Sequence, residues 1–122
     1  MESSNIKILP NAIKFVQDYY VSMCEIFGFE EKNIIEYSNR ILAACLSIND
    51  KTIFRTPRIQ KYVDKGYLEY YYIPKPKSKG RTHWYFECKK DEQGNIVIHE
   101  IIPSAMMHDA FVEEFASYLI AG

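Results

Sequence analysis

The sequence predicts an α+β domain: an N-terminal helical hairpin and a short third helix, an antiparallel β-meander of three or four strands, and a C-terminal helix packed on one sheet face. Three observations lead there. Apolar residues recur at helical spacing from Ile13 to Leu46. From Tyr67 to Ile102 the pattern changes to period two, rich in aromatic and β-branched residues and broken by turn residues. A helical stripe returns after Pro103. A chain of 122 residues with 48% hydrophobic composition is long enough for one domain with its own core. The expected single domain spans 1–122, helical over 10–66, β-meander over 67–102 and helical again over 103–121.

Pro10 suits an early helical position and Gly28 a C-terminal stop. Between them Ile13, Val16, Tyr20, Met23, Cys24 and Phe27 form one apolar face. Glu30 and Glu31 open a second helix, where carboxylates favour the positive end of the dipole. Its apolar set is Ile34, Ile35, Ile41, Leu42, Cys45 and Leu46, and Asn49-Asp50 ends it. Lys51 to Arg55 is either a short strand or a loop. Thr56 as N-cap, Pro57 as first helical residue and Gly66 as stop give a short third helix. It buries Ile59, Tyr62 and Val63 and shows Arg58, Lys61 and Lys65 outward.

Tyr67 to Ile73 reads as a strand, stopped by Pro74 and Pro76 and followed by a basic loop to Gly80. Thr82 to Lys89 is the next strand, with Trp84, Phe86 and Cys88 on one face and His83, Tyr85 and Glu87 on the other. Asp91-Glu92-Gln93-Gly94 is a hairpin turn. Asn95 to Ile102 follows, with Ile96, Ile98, Glu100 and Ile102 on one face and Val97, His99 and Ile101 on the other. A turn centred between Glu92 and Gln93 sets His83 near residue 102 and Phe86 near His99. The last helix starts at Pro103-Ser104 and carries the stripe Met107, Phe111, Phe115, Tyr118 and Leu119. The sheet face away from the helices is the candidate working surface.

Charge is sorted by position. Lys51 to Lys90 holds eleven basic and three acidic residues, a surplus of eight, while the remainder holds four basic and thirteen acidic ones. Such a field attracts polyanions to one region. Aromatic residues interleave with these cations, which suits a partner with phosphates and flat bases. RNA or the ribosome is therefore the expected partner. Arg55, Arg58, Lys75, Lys77, Tyr72, Trp84 and Tyr85 are the candidate substrate-binding residues. Core packing and sheet propensity account for most of the aromatic run, and a protein-binding surface is the other use, beside base stacking, for the rest. Cys24, Cys45 and Cys88 are far apart and form no CxxC pair, so they read as buried free thiols of a cytoplasmic protein. No apolar run approaches the roughly 20 residues of a membrane span, so no membrane partner is expected. No phosphate-binding glycine loop, GxSxG elbow or zinc spacing is present, and neither a cofactor nor a metal is expected.

RNA cleavage at its own 2′-hydroxyl needs a base, an acid and cations around the phosphorane. Arg81 and His83 are two apart and share a face of a regular strand. His99 offers a second imidazole, but the register holds the two histidines about three positions apart and, with Phe86 paired to His99, on opposite faces, an assignment of faces that a one-residue bulge would reverse.

The stretch Lys75-Pro76-Lys77-Ser78-Lys79-Gly80-Arg81-Thr82-His83-Trp84-Tyr85-Phe86, the strand from Gly94 to Ile102 and the amphipathic helix after it resemble the core of RelE/ParE-type toxins. That resemblance implies helices followed by an antiparallel sheet, a ribosomal or gyrase target and a cognate antitoxin. It implies that Arg81 stabilises the transition state, and that Lys75, Lys77 and Lys79 contact phosphate or transfer a proton. The chain departs from the RelE branch in lacking its second arginine and its tyrosine: Pro103-Ser104-Ala105-Met106-Met107-His108 stands there, and no arginine follows Arg81. The expected function is an RNA-directed RelE-like module, either a metal-independent ribonuclease with Arg81, His83 and Lys79 as catalytic residues or a degenerate relative. The alternative is a small non-enzymatic inhibitor, immunity or phage anti-defence protein that binds a protein or nucleoprotein.

Overall fold

The structure, a computed structural model, describes residues 6–28, 30–49, 51–73, 83–109 and 113. The elements are β1 (Ile6–Ile8), α1 (Pro10–Phe27), α2 (Glu31–Leu46), α3 (Gln60–Asp64), β2 (Leu68–Tyr72), β3 (Trp84–Lys90) and β4 (Ile96–Pro103). Residues 104–109 are helical. Helices and a four-stranded sheet of order β1-β4-β3-β2 make the fold α+β.

The sheet is mixed. β2, β3 and β4 pair antiparallel, while β1 lies parallel to β4 through Ile6↔Ile96, Lys7↔Val97 and Ile8↔Ile98. A three-residue strand has too little pattern to announce itself, and its partner lies ninety residues downstream in the sequence. Lys51 to Arg55 contributes only one bridge, Arg55↔Glu69. The third helix is shorter than expected. It begins at Gln60 with Ile59 as its N-cap, and Pro57 is buried ahead of it.

Helices α1 and α2 cover one sheet face. Ala12 and Val16 of α1, with Ile41, Ala44 and Cys45 of α2, pack on Trp84, Phe86, Cys88, Ile96, Ile98 and Ile101. Their spacing is that of one helical stripe. Tyr19 meets Trp84 edge-on at 5.4 Å between ring centroids. The free thiol of Cys45 is pushed up to about 12 by burial, and burial also raises that of Cys88.

The opposite face is not open, contrary to the expectation of a bare working surface. Ile59, Tyr62, Tyr67, Tyr85, Ile102 and Met107 form a second core there, under α3 and the start of the last helix. The residues from Phe111 onward in the expected stripe lie outside the described residues.

A bulge decides what faces each core. From Lys90↔Ile96 to Cys88↔Ile98 the β3–β4 register is regular; it then shifts, so that Glu87 pairs with Glu100, Phe86 with Ile101 and Tyr85 with Ile102. His99 is the extra residue. Ile98 and Ile101 therefore share the α1–α2 face, and Glu100 and Ile102 the other. The unbroken alternation expected from Ile96 to Ile102 does not hold. The tight turn before β4 is fixed by Asp91, whose carboxylate accepts from the N–H groups of Gln93 (3.0 Å) and Asn95 (2.8 Å). Gly94 supplies the left-handed backbone, φ 82°.

Candidate nucleic-acid interface

Alternation along β2 and β3 sends Glu69, Tyr71, Tyr85 and Glu87 to the second face. Arg55 joins them because its backbone exchanges two hydrogen bonds of 2.9 Å with Glu69. Its Nε donates to Glu69 Oε2 at 2.8 Å, and its guanidinium lies 4.9 Å from the Tyr71 ring centroid and 5.5 Å from that of Tyr85. Burial works against the Arg55 charge, but the bond and charge of Glu69 outweigh it and raise the pKa. The Tyr71 and Tyr85 rings are 5.0 Å apart.

Tyr71 Oη is hydrogen-bonded to His83 Nδ1. The backbone of His83 is pinned in turn, since Ser104 N–H donates to His83 O at 2.8 Å and His83 N–H reaches Ser104 Oγ at 3.4 Å. Beside this group lies a cleft of about 290 Å³ lined by Arg58, Tyr85, Ser104, Met107 and His108. Arg58 is exposed and forms no ion pair with a described residue. Arg55 and Arg58 both act to lower the Tyr71 pKa, while burial raises it more. Two guanidinium groups, two phenol rings, two imidazoles and a hydroxyl therefore meet at one end of the second face. Such an assembly suits an anion attached to a flat ring.

Behind it runs a row of carboxylates. Glu69, Glu87 and Glu100 are direct cross-strand neighbours. Glu69 and Glu87 are 0% exposed. The Arg55 bonds show that the backbone of Glu69 points away from β3, so Glu69 and Glu87 form a close non-hydrogen-bonded pair. No donor reaches Glu69 Oε1 or either Glu87 oxygen. One proton resolves this: burial first, then the bond and charge of Glu69, raise the Glu87 pKa strongly, and the protonated carboxyl donates to Glu69. Tyr62 Oη donates to Glu100 Oε1 at 3.2 Å. Among the described residues no group of three His, Cys, Asp or Glu is arranged to hold a metal ion.

Of the residues singled out in the sequence, the fold gathers Arg55, Arg58, His83 and Tyr85. Tyr85 is buried, with its ring against Arg55 and the small cleft. Trp84 is 0% exposed inside the first core, and Tyr72 stacks on Phe86 on that same side, so neither presents a ring to this face. The four cations Lys75, Lys77, Lys79 and Arg81 lie outside the described residues. His83 and His99 are not brought together. The observed register puts His83 beside Ser104, whereas His99 stacks on Tyr67 at 5.2 Å, with its pKa lowered by burial and by Lys89. Tyr71 and Ser104 join this candidate site without having been singled out in the sequence. Tyr71 was hidden in a run of three tyrosines, whose alternation alone does not say which face is core. No helix among the described residues is long and apolar enough to cross a membrane. Comparison with protein-family models, curated proteins and solved structures finds no match to this chain.

Proposed function

We propose that this chain is an RNA-directed cytoplasmic module acting through the Arg55–Arg58–His83 end of its second sheet face. The convergence of Arg55, Arg58, Tyr71, His83 and Tyr85 supports this most directly. Arg58 with Ser104 and His108 holds a phosphate, and the Arg55–Tyr71–Tyr85 stack offers a surface to an unpaired base. With Nδ1 of His83 bonded to Tyr71, Nε2 is the nitrogen left for proton transfer. The segment 74–82 joins β2 to β3 immediately before His83 and carries four further cations. As in the RelE-like reading, Arg81 and Lys79 then complete a metal-independent ribonuclease; without activity the chain is a degenerate RNA-binding relative.

The test is fluorescence anisotropy with a labelled single-stranded RNA across a salt series, with a gel assay for cleavage. Affinity falls steeply with salt, and Arg58→Ala lowers it while reducing the salt slope by about 1. His83→Ala abolishes cleavage and leaves the fold intact. Absence of RNA binding at low salt ends this reading. The second reading, a non-enzymatic protein-binding module, is favoured by the exposed apolar residues Val21 and Ile26 of α1 and Ile35 and Leu46 of α2. A stoichiometric protein partner without RNA affinity selects it.

A further inference from the structure

The β4 bulge re-aims a side chain as well as the register. It lays the His99 imidazole on the Tyr67 ring, 5.2 Å between centroids. The ammonium group of Lys65, the C-cap of α3, lies 5.8 Å from the same ring centroid. Lys89 reaches the spot from β3. It stands two residues beyond Glu87 on the second face, and its Cε is 3.9 Å from where a β-carbon on Gly66 would sit. Three elements thus bring two ammonium groups and an imidazole around one tyrosine ring. Both lysines are exposed and His99 is partly so. Every residue within two chain positions of these three is among the described ones.

Positive charge is left over here. Neither lysine forms an ion pair with a described residue. Burial lowers the His99 pKa first, and Lys89 and Lys65 lower it further than Glu100 raises it. Glu100 itself accepts from Tyr62 Oη at 3.2 Å. Asp91, in the turn after Lys90, is taken by the N–H of Asn95 and by Lys7 at 3.6 Å. Like charges gathered without a matching counter-charge attract an anion.

We propose that Lys65, Lys89 and His99 form a second anion site, one that takes a phosphate group. The two ammonium groups contact its oxygens and an imidazole N–H donates to it. Lysines act as point charges on a phosphate, and the site has no arginine fork to grip a planar carboxylate. The source of the phosphate rests on the RNA-directed function proposed for the arginine end. His83 and Lys89 are six residues apart along β3, about 20 Å. The two cationic ends therefore share one sheet face, with the carboxylate row between them. An RNA strand several nucleotides long spans both and places a backbone phosphate in the lysine site, whereas a dinucleotide reaches one end only.

Two probes test this on the full chain. Tripolyphosphate is titrated while the NMR signals of Lys65, Lys89 and His99 are followed, and fluorescein-labelled single-stranded RNA of about twelve nucleotides is titrated in anisotropy. Tripolyphosphate shifts all three residues at millimolar concentration, and the double variant Lys65→Gln/Lys89→Gln loses the His99 shift. That variant keeps the wild-type circular dichroism. It binds the RNA weaker by about fivefold or more, with a salt slope reduced by about 1, and binds a dinucleotide as wild type does. Lys65→Arg/Lys89→Arg restores the long RNA. If RNA binds wild type and the glutamine variant equally and tripolyphosphate shifts nothing, the lysine site falls and the RNA-directed function stands. If tripolyphosphate shifts the three residues but no RNA binds at low salt, the RNA-directed function falls and the phosphate site stands. Shifts with RNA binding that ignores the lysines assign the site to free phosphate. Poly-glutamate shifting His99 as strongly as tripolyphosphate makes the occupant an acidic protein segment and overturns the proposal.

Discussion

Replacing Glu87 by glutamine tests the carboxylate row most sharply. Glu87 is fully buried, has no donor at either oxygen and faces Glu69 across a close strand pair. Its folded pKa is raised, chiefly by burial, while an unfolded glutamate titrates near about 4.3. The folded state therefore holds a proton that the unfolded state has released. In that window stability falls as pH rises, by about 1.4 kcal/mol per pH unit for one proton. The contribution is fully present below the unfolded pKa and is lost progressively as pH climbs toward the folded one. From pH 5 to 8 the ceiling on the loss is roughly 4 kcal/mol. Glutamine is isosteric, carries no proton to lose and donates its own N–H to Glu69 Oε1. Urea unfolding at pH 5, 6, 7 and 8 reads the difference between the two proteins. His99, whose lowered folded pKa makes stability rise with pH near its unfolded value, contributes equally to both and cancels. The expected result is a Glu87→Gln protein more stable at pH 7 by up to about 3 kcal/mol, with an advantage that widens as pH rises. A variant that is less stable than wild type at pH 8, or a difference independent of pH, would refute a protonated Glu87.

Three further outcomes follow from the same structure. Arg55→Ala leaves the buried Glu69 carboxylate without its cation and costs about 2 kcal/mol; adding Glu69→Gln recovers most of this in urea unfolding. Trp84→Ala removes the largest fully buried side chain and its contacts with Tyr19 and Tyr20. It costs about 3–5 kcal/mol by the same measurement, whereas Arg58→Ala changes stability by less than about 0.5 kcal/mol. Gly94→Ala forces a β-carbon onto a backbone at φ 82° and lowers the thermal midpoint by an amount equivalent to about 1 kcal/mol.

What the sequence determined by itself was local. Helical periodicity placed α1 and α2, the punctuation Asp91 to Gly94 placed the β3–β4 turn, and alternation put Trp84, Phe86 and Cys88 on one buried face. The charge surplus pointed to Arg55 and Arg58 without saying that they meet Tyr71, His83 and Tyr85. The tertiary structure alone decided the rest. It added β1 in parallel, inserted His99 as a bulge, and so turned Glu100 and Ile102 to the second face. It aligned three glutamates from three strands into one row and set Arg55 against the first of them. The physical reason is that side-chain periodicity is a property of one segment, fixed by its own backbone geometry. Register, bulges and strand neighbours are properties of pairs of segments, fixed by contacts between residues far apart in the chain.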